Sequence, residues 1–215
     1  MDCMGATTIL VPGFSDDERC MRGLARYLQR KIGAKTLILS PQPSAGQVGI
    51  DVLAGMLATQ LDECLPTNAP VHLVGFSMGG LICRYYAQRL RATRPVEQLV
   101  TIATPHQGTW SAYSFARPAC FQMRPGSQFL QELNADLLSL TTVQFTSIWT
   151  PFDLTVLPST SSWLPVGQIV TILSPFHRTM LFDPRVFAAV SARLQSAHHE
   201  HQRTLSASRR QAPLN

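Results

Sequence analysis

An α/β architecture is predicted, with about six mainly parallel strands and helices on both faces of the sheet, and two observations carry that prediction. Short Leu-rich or β-branched runs alternate along the chain with amphipathic segments of helix length, the order that builds a parallel sheet covered on both sides. One of those runs, Val71 to Val74, breaks at Gly75-Phe76-Ser77-Met78-Gly79 and resumes with helical spacing, so a serine stands at a strand-to-helix turn.

The candidate strands are Thr7 to Val11, Lys35 to Leu39, Val71 to Val74, Gln98 to Ile102, Val143 to Trp149 and Gln168 to Leu173. Between the first two, Ser15-Asp16-Asp17-Glu18 has the spacing of a capping box, and Met21, Leu24, Leu28 and Ile32 follow at three- or four-residue intervals. Val48, Val52, Met56 and Leu61 keep a looser helical rhythm before the third strand. Asp183-Pro184 reads as an N-cap with proline at the first helical position, followed by Val186, Phe187, Val190 and Leu194. From Thr104 to Gln128 no period holds, and a stretch of that length inside a compact domain is either one wall of a substrate cleft or an ordinary surface excursion. Residues 1–197 are expected to form a single domain, and 198–215, rich in His, Ser and Arg without periodicity, a disordered basic tail.

Composition narrows the function classes. With 45% hydrophobic and 14% charged residues, the 215-residue chain reads as a compact globular protein with a substantial core. No apolar run reaches the roughly 18 residues a membrane-spanning helix needs. Met1 to Ala6 carries no basic stretch followed by an apolar one, and a cytoplasmic location is expected. Cys3, Cys20, Cys64, Cys83 and Cys120 are scattered, odd in number and without C-x-x-C spacing, so they read as reduced thiols and not as a disulfide framework or a zinc site. The net charge of +5 comes largely from isolated arginines and from Arg203, Arg209 and Arg210, which speaks for a solvated surface and against a nucleic-acid module.

The chemistry gathers at Ser77. Glycines at positions 75 and 79 let the backbone fold back beneath a serine held out on a sharp turn, and the helix that follows points its free amides at whatever oxygen the serine attacks. Activation of that hydroxyl requires an imidazole to take its proton and a carboxylate to orient the imidazole, in the chain order serine, acid, histidine. His72 precedes the serine inside its own strand, His106 precedes the best acid, and His198, His199 and His201 fall in the tail. His177 remains, in a loop just after the last strand. Among the acids, Glu97 stands before a strand, Glu132 and Asp136 lie in a helical stretch, and Asp183 is explained as a cap. Asp153, just past the strand that ends near Trp149, is the expected triad acid, against the plainer reading of a turn aspartate beside proline. The expected oxyanion donors are the backbone amides of Met78, after the nucleophile, and Phe14, after the first strand.

With those residues in place, the chain resembles the small bacterial lipases and esterases of the α/β-hydrolase superfamily over about Ala6 to Leu194. The carriers are Leu10-Val11-Pro12-Gly13-Phe14, Gly75-Phe76-Ser77-Met78-Gly79-Gly80 and Ala103-Thr104-Pro105-His106-Gln107-Gly108-Thr109. Arg124-Pro125-Gly126-Ser127, with Phe129-Leu130 and Leu133-Asn134, is similar to a stretch these enzymes place before the acid-bearing strand. The resemblance implies a compact α/β-hydrolase fold, and it matches Ser77, Asp153 and His177 to nucleophile, acid and base; the chain departs from the extracellular lipases in that Thr104 to Gln128 is too short for a large lid. It implies a serine ester hydrolase working through an acyl-enzyme on a small-molecule ester or lipid, with no cofactor or metal and at most transient contact with a lipid surface. A thioesterase, a phospholipase or an acyltransferase on the same triad is the alternative within that chemistry. A non-catalytic binding protein of the same fold is the alternative outside it. Phe76 stands where the family often has histidine, which is expected to change the wall of the pocket.

Overall fold

A computed structural model describes residues 6–90 and 94–195. The tail expected at 198–215 lies outside the described residues. The sheet has six strands, β1 Thr7–Val11, β2 Thr36–Ile38, β3 Val71–Phe76, β4 Val96–Ile102, β5 Gln144–Trp149 and β6 Gln168–Thr171, in the order β2-β1-β3-β4-β5-β6. Every pairing is parallel. The helices are α1 Arg22–Ile32, α2 Ile50–Cys64, α3 Met78–Tyr85, α4 Pro118–Gln122, α5 Gln128–Ala135 and α6 over residues 184–195, and a π-helical turn, Tyr86–Leu90, extends α3.

Alternation along the central strands sorts their side chains between two cores. Ile9, Val11, Leu73, Leu99 and Phe145 pack with Leu53, Leu57 and Leu61 of α2 and with Leu81 and Ile82 of α3. Leu10, Val74, Val100, Ile102 and Ile148 face the other way, onto Leu24 and Leu28 of α1 and Val186, Val190 and Leu194 of α6. Strands buried on both faces cannot alternate apolar with polar, which is why they read as continuous apolar runs.

Helix α1 starts differently from the capping-box expectation. Ser15 sits at φ +57° with its amide donating to the Ser44 carbonyl, so its side chain does not cap a helix. Asp17 takes that role, accepting from the Arg19 amide at 2.8 Å, and a 3-10 turn, Glu18–Met21, leads into α1. At α6 the expected cap is present: the Asp183 carboxylate accepts from the Arg185 amide at 2.9 Å, and Pro184 opens the helix. Cys20, Cys64, Cys83 and Cys120 are not cross-linked, and burial raises the Cys83 and Cys120 thiols above their ordinary range. No helix among the described residues is long and apolar enough to cross a membrane.

Strand order places the site. The chain steps from β1 outward to β2, then returns to β3 on the other side of β1 and continues outward through β6. At such a reversal the loops leaving neighbouring strands part to opposite faces, and a crevice opens at their carboxyl ends. The loops leaving β1 and β3 are the two that hold Phe14 and Ser77.

Candidate functional site

Ser77 occupies the turn between β3 and α3 at φ +53° and ψ −124°, a conformation that L-residues adopt only under constraint. The constraint is local. Its amide donates to the Ile102 carbonyl of β4 at 2.8 Å, and the Gly80 amide returns to the Ser77 carbonyl at 3.0 Å. A methyl group at Gly75 would come within 2.5 Å of the Gly80 backbone, and one at Gly79 would overlap the carbonyl oxygens of Val11 and Pro12. The elbow is possible because helix and strands touch there through bare backbone.

The β1 loop lies against the serine. A Cβ on Gly13 would stand 3.1 Å from the Ser77 Cβ. The next two amides of that loop are engaged, Ser15 with the Ser44 carbonyl at 3.0 Å and Asp16 with the Gly13 carbonyl at 3.2 Å, and Phe14 stands between them and Gly13. Met78 is the first residue of α3, where a backbone N–H has no partner within the helix.

Asp153 and His177 are brought together from separate loops. The Asp153 Oδ2 is 2.7 Å from the His177 Nδ1, and both residues are buried. The other carboxylate oxygen accepts from the amides of Thr155 and Val156, each at 2.8 Å, so the carboxylate is fixed in rotation as well as position. The Thr150 hydroxyl donates to the Ser174 carbonyl at 2.6 Å and ties the two loops together just behind the pair. The imidazole rests on the Phe76 ring, with centroids 4.8 Å apart. That contact puts the acid–base pair beside the residue preceding Ser77. The Phe76 ring is itself buried and packs against the imidazole.

The remaining candidates are accounted for elsewhere. His72 lies within β3, its Nε2 3.9 Å from Glu97 at the amino end of β4, away from the elbow. His106 is fully buried, 3.0 Å from the Thr101 hydroxyl, and burial first, then the Arg84 charge, holds its pKa well below the ordinary histidine value. Asp136 pairs with Arg89 at 2.9 Å. The stretch from Thr104 to Gln128 holds a 3-10 turn, Trp110–Ser114, and α4, and it leans Phe115 against Phe14 at 5.6 Å between ring centroids. It therefore borders the β1 loop. A depression of about 330 Å³ between Gln107, Leu130 and Leu164 has none of the triad candidates in its wall.

One contact had no signal in the sequence. Arg178, next to His177, donates to Asp16 at 2.6 Å and clasps the loop of the imidazole to the loop of Phe14 across 162 positions of chain.

The sequence profile of the palmitoyl protein thioesterase family matches residues 7–136, which is more than half of the 215 residues. The chain belongs to the palmitoyl protein thioesterase family. The match runs from β1 to the end of α5, so it takes in Phe14, Ser77 and Met78, while Asp153 and His177 lie beyond it. Among solved structures, this thioesterase-family chain is similar to the mature form of the lipase BlEst2 from Bacillus licheniformis, at 14% identity and a TM-score of 0.71 over 90% of this chain and 93% of that one. It is similar to lipase B from Aspergillus fumigatus, at 18% identity and a TM-score of 0.72 over 87% of this chain and 52% of that one. It also resembles a hydrolase from Pseudomonas aeruginosa, at 14% identity and a TM-score of 0.61 over 91% of each chain. No curated protein matches the sequence. At these identities the structural likeness establishes the α/β-hydrolase fold, and with the family it makes the chain a member of a hydrolase family.

Proposed function

We propose that this chain is a serine hydrolase that cleaves carboxylic esters through an acyl-enzyme, with Ser77 as nucleophile, His177 as general base and acid, and Asp153 as the carboxylate that orients the imidazole. The observation that carries the reading is the buried 2.7 Å contact between Asp153 and the His177 Nδ1, beside a serine held at φ +53° on the same edge of the sheet. With Nδ1 engaged by the carboxylate, Nε2 is the nitrogen free to take the serine proton. Attack on the carbonyl forms a tetrahedral intermediate whose oxyanion is held by the amides of Phe14 and Met78. His177 then gives its proton to the departing alcohol, and a water molecule activated by the same imidazole releases the acid. Apart from the substrate and water, every group in this sequence is a side chain or backbone amide of the chain, and no cofactor is called on.

A second reading, hydrolysis of acyl thioesters, is favoured by the family match over residues 7–136. It needs the same nucleophile and base and differs in the leaving group, a thiolate that depends less on proton donation because thiols are the stronger acids. The test has two parts. A fluorophosphonate probe should label the wild-type chain at Ser77 and fail to label Ser77→Ala. A panel of oxyesters and thioesters of graded acyl length then ranks the substrates by kcat/KM. Labelling that survives in Ser77→Ala, or a wild-type chain that neither labels nor turns over any member of the panel, would overturn the catalytic reading in favour of a binding protein.

A further inference from the structure

Three exposed aromatic side chains and the half-buried Arg124 form a cluster on the stretch that borders the β1 loop. Trp110 is 60% exposed and stacks on Tyr113, 51% exposed, with ring centroids 5.7 Å apart. The Arg124 guanidinium lies 4.6 Å from the Tyr113 ring and 4.3 Å from Phe121, which is itself 47% exposed. Water is a poor solvent for such a surface, and a cation held within cation–π distance of two rings brings positive charge to an apolar patch.

The cluster continues toward the catalytic edge. The Trp110 amide donates to the Leu157 carbonyl at 2.9 Å, and the Thr109 hydroxyl donates to the Thr155 carbonyl at 2.9 Å, so the patch is fastened to the loop whose Thr155 and Val156 amides hold Asp153. On that loop Leu154 and Leu157 are also exposed.

Charge decides the partner. Residues 98–131 and 137–182 contain Arg117, Arg124 and Arg178 and a single acidic residue, Asp153, which is buried on His177. The two carboxylates between those stretches are engaged, Glu132 by the Gln128 amide at 2.7 Å and Asp136 by Arg89 at 2.9 Å, and so are Asp16, by Arg178, and Asp51, by the Gln122 amide at 2.7 Å. The face is therefore apolar and aromatic with cationic charge. Trp, Tyr and Arg together suit the headgroup region of a membrane, where rings sit at the apolar boundary and guanidinium groups reach phosphate.

We propose that Trp110, Tyr113, Phe121 and Arg124, with Leu154 and Leu157, dock this chain on an anionic phospholipid bilayer and so turn the Ser77 edge of the sheet toward the membrane. That the docked edge is the catalytic one rests on the proposed function; the docking itself does not.

The experiment is co-sedimentation of the full-length Ser77→Ala chain, which does not consume lipid on the proposed mechanism, with phosphatidylcholine vesicles and with vesicles carrying about 30% phosphatidylserine. The chain is expected to partition onto the phosphatidylserine vesicles, and added salt is expected to weaken that partition. Trp110→Ser with Phe121→Ser should lower it by about tenfold or more on either vesicle, because buried apolar area is lost. Arg124→Glu should bring the phosphatidylserine value down toward the phosphatidylcholine one. Leu154→Ser, on a separate loop, should lower the partition independently, and a cooperative melt of each variant establishes that it is folded. In the chain with Ser77 intact, the Trp110/Phe121 double variant should hydrolyse a monomeric soluble ester within about twofold of the parent, the range expected of surface changes away from the reacting atoms. Folded aromatic variants that sediment with phosphatidylserine vesicles as the parent does would overturn the proposal. So would a parent that elutes as a dimer and becomes monomeric on Trp110→Ser, since the patch would then face a second copy of the chain. If Ser77→Ala retained hydrolysis, the catalytic reading would fail while the partition result stood.

Discussion

At the scale of single residues the site depends on how one imidazole is held. Its Nδ1 faces the Asp153 carboxylate, its ring lies on Phe76, and its neighbour Arg178 grips Asp16. On the proposed mechanism the carboxylate is the part whose loss is most specific, because replacing it with an amide removes the charge that would select the tautomer and leaves the packing in place. Asp153→Asn is expected to lower kcat by about 10⁴, the loss known where a triad aspartate is replaced in this way. Asp136→Asn is expected to change kcat by less than about threefold, since Asp136 pairs with Arg89 on the surface and such pairs contribute little. Steady-state rates of the two variants on one soluble ester decide between the acids, and equal losses would move the assignment away from Asp153.

At the scale of elements, the β3–α3 elbow and the cap of α6 are each held by a residue whose removal has a defined consequence. A methyl group at Gly79 meets two backbone carbonyl oxygens, neither of which can rotate away. Gly79→Ala should therefore separate α3 from the end of β1, lowering the unfolding free energy by about 1–3 kcal/mol and turnover with it, because Phe14 and Met78 lie on the two sides of that contact. At the other end of the chain, hydrogen bonds from the Arg185 side chain are the largest influence holding the Asp183 carboxyl below its ordinary range. Asp183→Ala removes the N-cap of α6 and should cost about 1 kcal/mol in chemical denaturation with kcat unchanged.

Across the whole molecule, the buried polar groups set the response to pH. His106 is neutral in the fold, its pKa depressed by burial and then by Arg84, whereas in the unfolded chain it protonates near about 6.5. A group with a depressed folded pKa contributes its stability in full above the unfolded value and loses it as pH falls toward the folded one. Unfolding free energy should accordingly decline as pH drops below about 6.5, and His106→Gln should flatten that decline in denaturant titrations at several pH values. A parallel decline in the variant would assign the loss to other groups. Substrate access is also a property of the whole fold. The segment over Thr104 to Gln128 holds only a 3-10 turn and the five-residue α4, too little for a domain-sized cover. Monomeric short-chain esters should be turned over below their critical micelle concentration. A rate that rises about tenfold or more only above it would reveal a mobile lid.

The amino-acid sequence by itself determined the six strands, their parallel arrangement and the elbow, because strands buried on both faces must be continuous apolar runs and because the elbow needs glycine at defined positions on either side of its serine. It also narrowed the candidates for acid and base to Asp153 and His177, the pair proposed here, since the order of elements along a parallel sheet restricts which loops reach the edge where Ser77 stands. What the sequence did not contain is every relation between loops that are distant in the chain. Ser15 stood three places before a glutamate and read as a capping residue, yet its backbone is drawn into the left-handed region where its amide meets Ser44, and Asp17 caps in its place. The contact of Phe76 with His177 could not be read from either segment, because it depends on where the loop after β6 returns. The clasp of Arg178 on Asp16 and the stacking of Arg124 on Tyr113 and Phe121 have no periodicity or motif behind them. Periodicity records what one element buries against the whole core, whereas contacts between loops depend on where the sheet sets down their ends, and that was decided by the tertiary structure alone.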